Sequence, residues 1–212
     1  MPSETELTGA PWTVEPGAIV FLPEPTEGFT DDEIAALFTG TLTAAGEPHA
    51  GAMIALVPAT EDMRELELEG GEPLDKLHTT VFFLGAADEI DDDARLAILT
   101  VVEDLAQRQP VVLGDVFGFS VWNPTGPEPC VVADVNGEDL ADCYDSVAAA
   151  LDDIEFAYPD QHEPYRPHIT LMYDVTEIPD ELFTKTGPIT YDRLRVAFGG
   201  VVTDVPLGGK IA

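Results

Sequence analysis

Basic residues are scarce in this chain: 9 Lys and Arg stand against 41 Asp and Glu, a formal charge of -32 at pH 7. A protein that follows a nucleic-acid backbone needs several Lys or Arg contacts, whose counterion release supplies most of the non-specific affinity. Long nucleic acid is therefore a poor bulk partner, and polyanions are repelled over roughly a Debye length. Solubility or adaptation to salt accounts for the acidity without any role in recognition. Cysteine is limited to Cys130 and Cys143, so neither a disulfide framework nor a zinc site is expected. Cys143 falls on the apolar stripe of a predicted helix, where cysteine behaves as a small buried hydrophobe.

Serine occurs only at Ser3, Ser120 and Ser146, with no Gly-x-Ser-x-Gly, which argues against a serine hydrolase. The histidines are His49, His78, His162 and His168, and no His-Glu-x-x-His is present. A metallohydrolase would have to assemble its ligands from distant carboxylates, so no metal or cofactor is expected. No run of about 18 apolar residues free of charge occurs, and Met1 to Pro11 has neither a basic region nor an apolar signal core. The expectation is a soluble, cytoplasmic protein without a membrane partner.

What is present is 45% hydrophobic residues over 212 positions, enough for one sizeable core. Residues 1–48 are rich in Pro, Gly, Thr and Glu and read as an N-terminal extension or linker. They hold one strand-like run, Ala18 to Leu22, and a helix Asp31 to Phe38 that Thr30 would cap. His49 is expected to be solvated. Residues 49–212 read as one domain. Its predicted strands are Ala52 to Val57 (closed by Pro58), Leu77 to Leu84, Val111 to Trp122, Val131 to Val135, Pro167 to Tyr173, Ile189 to Phe198 and Val201 to Val205. One predicted helix carries Ala94, Ala97, Ile98, Val101, Val102 and Leu105 on one face. The other carries Leu140, Cys143, Tyr144, Val147, Ala148, Leu151 and Ile154.

Two tripeptides stand out, His78-Thr79-Thr80 and His168-Ile169-Thr170, each at the start of a predicted strand and 90 residues apart (from 78 to 168). In a strand, residues i and i+2 share a face, so each histidine sits beside its threonine while Thr79 and Ile169 point away. With a helix and strands around each, the pattern predicts an α+β fold of two pseudo-symmetric lobes with antiparallel strands around a central cleft.

Cleaving a phosphodiester requires one group to take a proton from the attacking oxygen and another to protonate the departing one, and two histidines can do both near neutral pH. Charge accumulates on the non-bridging oxygens, which the hydroxyls of Thr80 and Thr170 would stabilise. Which histidine is the base is left open by the sequence. Lys76 and Arg166 each lie two residues before a histidine, either as substrate contacts or as exposed residues at strand starts. His162 and Tyr165, in the loop before the second tripeptide, are further candidate substrate contacts. Trp122 is expected to cover the edge of the core.

The segments Leu77 to Gly85 and Pro167 to Leu171 resemble the two signature strands of the 2H phosphoesterase superfamily, which includes 2′-5′ RNA ligases and cyclic phosphodiesterases. The resemblance spans roughly residues 50 to 206. It implies a bilobal fold, metal-independent action, catalytic roles for His78 and His168, and phosphate binding by Thr80 and Thr170. The implied substrates are 2′,3′-cyclic phosphates, 2′-5′ linkages or small cyclic nucleotides, including host-defence signals. RNA-end processing and a non-catalytic nucleotide-binding or virion-associated module remain as alternatives. The runs Ala52 to Pro58 and Leu194 to Gly200 also look like versions found in phages and prophages of actinobacteria. Among these substrates the charge favours a small nucleotide or short oligonucleotide, whose one or two phosphates need no basic groove.

Overall fold

The computed structural model describes residues 51–126 and 128–208. The expectations for Ala18 to Leu22, for Asp31 to Phe38 and for His49 lie outside the described residues.

Seven strands form one antiparallel system: β1 (Gly51–Pro58), β2 (Thr79–Ala86), β3 (Val112–Trp122), β4 (Cys130–Asn136), β5 (His168–Tyr173), β6 (Gly187–Phe198) and β7 (Val201–Pro206). Three helices accompany them, α1 (Thr60–Leu66), α2 (Asp92–Arg108) and α3 (Glu138–Asp153). The α+β, two-lobed expectation is what the chain adopts, and only the short α1 and three 3-10 turns were not anticipated.

The lobes are defined by how β6 is used. Its first part, Gly187 to Tyr191, pairs with β3, so that one lobe runs β6-β3-β4-β5. Its second part, Tyr191 to Phe198, pairs with β1, so that the other lobe runs β7-β6-β1-β2. A strand of 12 residues is long enough to serve both. The lobes touch again at their far edges, where Thr79 of β2 pairs with Ile169 of β5.

Helix α2 begins where Asp91 accepts a hydrogen bond from Ala94 N at 2.8 Å, with Asp92 and Asp93 in its first turn and Arg108 in its last, charges that complement the helix dipole. It buries Ile98, Val102, Leu105 and Ala106, while α3 buries Leu140, Cys143, Val147 and Leu151. Both stripes are those the 3.6-residue period predicts. They cover one side of the strands, meeting the inward set Phe119, Val131, Ala133, Val135, Ile169 and Leu171. The alternate residues of β3, β4 and β5 face the opposite side and are free to carry chemistry.

Tyr191, the residue at which β6 changes partners, is fully buried, and its hydroxyl lies 2.7 Å from Thr79 Oγ1. The two places where the lobes join are thereby linked inside the core. Removing either hydroxyl alone strands the other in an apolar setting, at a cost of about 1–3 kcal/mol, whereas removing both is nearly neutral. Tyr191→Phe and Thr79→Val should each lower the urea midpoint with unchanged m, and the double variant should be less destabilised than the sum. Additive losses across that cycle would show that the bond is not coupled.

Candidate active site

The pairing of Thr79 with Ile169 in antiparallel strands fixes the rest of the register. One residue further each way, His78 faces Thr170 and His168 faces Thr80. All four side chains therefore lie on the face opposite Thr79 and Ile169, which are both fully buried in the core. The tripeptides thus meet at their middle residues and place two histidines and two threonines on one face of the sheet.

Each imidazole is held in the same way. His78 Nδ1 lies 2.7 Å from the Lys76 carbonyl oxygen, and His168 Nδ1 lies 3.0 Å from that of Arg166. A carbonyl only accepts, so Nδ1 carries the hydrogen in both rings. That leaves Nε2 of each ring as the site where a proton is gained or lost. The offset of two residues seen for Lys76 and Arg166 has a structural basis in the backbone: the carbonyl of each accepts from the ring.

The two side chains lie beside carboxylates. The charge of Lys76 acts on Glu72, and that of Arg166 acts on Asp134. Burial holds both carboxyls above the ordinary carboxylate range, and the neighbouring cations pull them back down. Glu72 is delivered by a close approach of two segments of the chain, its N–H donating to Leu171 O at 2.8 Å. The adjacent Gly71 leaves no room for a side chain, since a Cβ there would stand 2.7 Å from that same oxygen.

Beyond this symmetry the lobes differ. Thr80 Oγ1 donates to Met53 Sδ at 3.6 Å, a weak partner, whereas Thr170 lines a small cavity together with Tyr173. Trp122 does not simply cover the core edge. It lies on the outward face of β3 and packs on His168 with ring centroids 4.1 Å apart and planes at 37°. Its Nε1 donates to Ser120 Oγ at 3.0 Å, and Ser120 donates to Asp134 Oδ1 at 3.1 Å. A small cavity beside His168 and Thr170 is lined by Trp122, Asn123, Glu128, Cys130 and Tyr173.

Burial lowers the pKa of His168, an effect that the Arg166 carbonyl partly offsets and the nearby His162 reinforces. His162 is itself lowered by burial and by Arg166, so the loop residue proposed from sequence does lie near the site. Tyr165 supports the site from the main-chain side: its ring stacks on Tyr144 at 4.7 Å and its hydroxyl donates to the Thr80 carbonyl oxygen at 3.2 Å. Cys130 and Cys143 are both buried and unlinked, with their thiols pushed up to about 11 and about 12. Among the described residues, no group of three or more His, Cys, Asp or Glu is placed to hold a metal ion. No helix among them is long and apolar enough to cross a membrane.

With this geometry in view, the chain can be set beside known proteins. No family model and no curated protein matches its sequence. Among solved structures, the Thermus thermophilus protein TT0787 is similar with a TM-score of 0.54 at 18% identity, over 76% of this chain and 99% of that one. Escherichia coli LigT in complex with 3′-AMP aligns at 19% identity, over 76% and 96%, with a TM-score of 0.47. Kluyveromyces marxianus Usb1 aligns at 13% identity, over 74% and 97%, also at 0.47. The likeness to TT0787 establishes a shared α+β fold.

The Nδ1 anchoring has a direct spectroscopic consequence. In ¹⁵N-edited NMR, neutral His78 and His168 should both be the Nδ1–H tautomer, and His168 should titrate below the ordinary ~6.5. Because the fold then holds the His168 proton more weakly than the unfolded chain does, this group destabilises the protein as pH falls from ~6.5 through its folded value and is neutral above. An Nε2–H tautomer at either ring, or a raised His168 pKa, would refute the arrangement.

Proposed function

We propose that this chain is a 2H-type phosphodiesterase that cleaves a 2′,3′-cyclic phosphate, a 2′-5′ linkage or a small cyclic nucleotide, with both proton transfers made by side chains. The observation that carries the reading is the duplicated anchor. Two imidazoles, each fixed through Nδ1 to a carbonyl two residues back, stand on strands that meet at Thr79 and Ile169 and alternate with two threonines. A structural histidine has no need of a symmetric partner, whereas acid–base cleavage of a phosphodiester needs two.

The roles follow from the asymmetry of the lobes. Burial lowers the pKa of His168 and so favours its neutral ring, which makes its Nε2 the better acceptor for the proton of the attacking water. His78 Nε2 gives a proton to the sugar oxygen as its bond to phosphorus breaks. The hydroxyls of Thr80 and Thr170 donate to the non-bridging oxygens as charge builds there. With only 9 Lys and Arg against 41 Asp and Glu in the chain, the site suits one or two phosphates more than a polyanion.

Turnover of 2′,3′-cyclic mononucleotides and a panel of cyclic dinucleotides tests this. His78→Ala and His168→Ala should each lower kcat by about 10²–10⁴-fold, and Thr80→Val or Thr170→Val by about 10²-fold. The acid limb of kcat/KM should fall below pH ~6.5, reporting His168, and a chelator should leave the rate unchanged. Absence of histidine-dependent hydrolysis of any member would sink the enzyme reading in favour of a binding module.

A further inference from the structure

We propose that Arg195 is a positioning residue for His78, and that the first lobe in chain order, β7-β6-β1-β2, relies on it where the second, β6-β3-β4-β5, relies on main chain. Only the kinetic part of this proposal rests on the phosphodiesterase reading, because the placement of the ring is a property of the fold.

Both imidazoles hang on a carbonyl two residues upstream, so a carbonyl that drifts lets its ring turn. In the second lobe the approach to His168 is fastened by the neighbouring strand, with Val135 N donating to Pro167 O at 3.1 Å. In the first lobe the approach to His78 is the 3-10 turn Leu74–Lys76. Its bonds from Lys76 N to Pro73 O at 2.8 Å and from Leu77 N to Leu74 O at 3.2 Å tie it to itself. Arg195 ties it to the sheet. Its Nη1 donates to Asp75 O at 2.7 Å, one peptide before the Lys76 carbonyl that accepts from His78.

The guanidinium is in turn fixed on its other side. Nε and Nη2 donate to Asp204 Oδ1 and Oδ2 at 2.7 and 2.9 Å, a two-pronged pairing that sets the plane of the fork. The registers place Thr80, Ala55, Arg195 and Asp204 in one row across β2, β1, β6 and β7. Ala55, with only a methyl group, leaves the guanidinium a path over the sheet toward residue 75. Arg195 is 7% exposed, and a buried guanidinium is costly unless its N–H groups are matched. Here three of them are. The Arg195 hydrogen bonds hold the Asp204 carboxyl below its ordinary range, so the clamp stays charged throughout the neutral region. A lysine has no planar fork and cannot hold Asp204 and Asp75 together in this way.

The test compares Arg195→Lys, Arg195→Met and Asp204→Asn with the full-length wild type. In both Arg195 variants, ¹⁵N NMR should show His78 losing its Nδ1–H preference while His168 keeps it. With a 2′,3′-cyclic nucleotide, kcat should fall about 10- to 100-fold, the scale of a ~1 Å misplacement, with KM little changed. An unaltered His78 tautomer in a folded Arg195 variant, or an equal change at His168, would overturn the proposal. If neither Arg195 variant folds, Asp204→Asn decides by the same His78 signal: a shift supports the clamp and an unchanged ring refutes it. Since the ring is read without substrate, a wild type lacking turnover would remove the phosphodiesterase reading and leave the clamp to stand or fall by its own signal.

Discussion

One buried contact, the hydrogen bond between Thr79 and Tyr191, ties together the two points at which the lobes of this protein join. Tyr191 sits where β6 leaves β3 for β1, and Thr79 sits where β2 meets β5. A shift of one lobe relative to the other would break that bond, and an unpartnered hydroxyl in a dry core is expensive. The same residues fix the register that sets His78 opposite Thr170 and His168 opposite Thr80. Stability and the geometry of the cleft thus depend on one place in the core.

The symmetry of the cleft resides in its backbone, and its asymmetry in its side chains. Carbonyls at 76 and 166 orient the two rings, and a carboxylate accompanies each nearby cation. Around that frame the second lobe adds Trp122, Ser120, Asp134 and Tyr173, and the first adds Arg195 and Asp204. Different surroundings of this kind push the pKa values of two like groups apart, which suits a reaction with one proton donor and one acceptor.

Much of this was legible in the sequence because period and composition report burial. The two long helices and all seven strands of the described residues followed from apolar spacing, and the paired tripeptides followed from their position at strand starts. The residues that were missed act through tertiary register. Asp134 lies in an otherwise apolar strand, and Arg195 lies within Leu194 to Phe198, where its neighbours Leu194 and Val196 are buried. In a chain with 9 Lys and Arg, a basic residue inside a central strand was a signal open to reading. Its partner Asp204 was not, since pairing across β6 and β7 is set by the hairpin. The backbone anchors at 76 and 166 carry no side-chain signature at all. For that reason Lys76 and Arg166 drew attention for their charge when their carbonyls hold the rings.

If both halves of the chain contribute one imidazole each to a single phosphate site, titration with inorganic phosphate should move the Nε2 resonances of His78 and His168 together, with one dissociation constant. Movement of one ring alone, or of the two with separate affinities, would rule out a shared site.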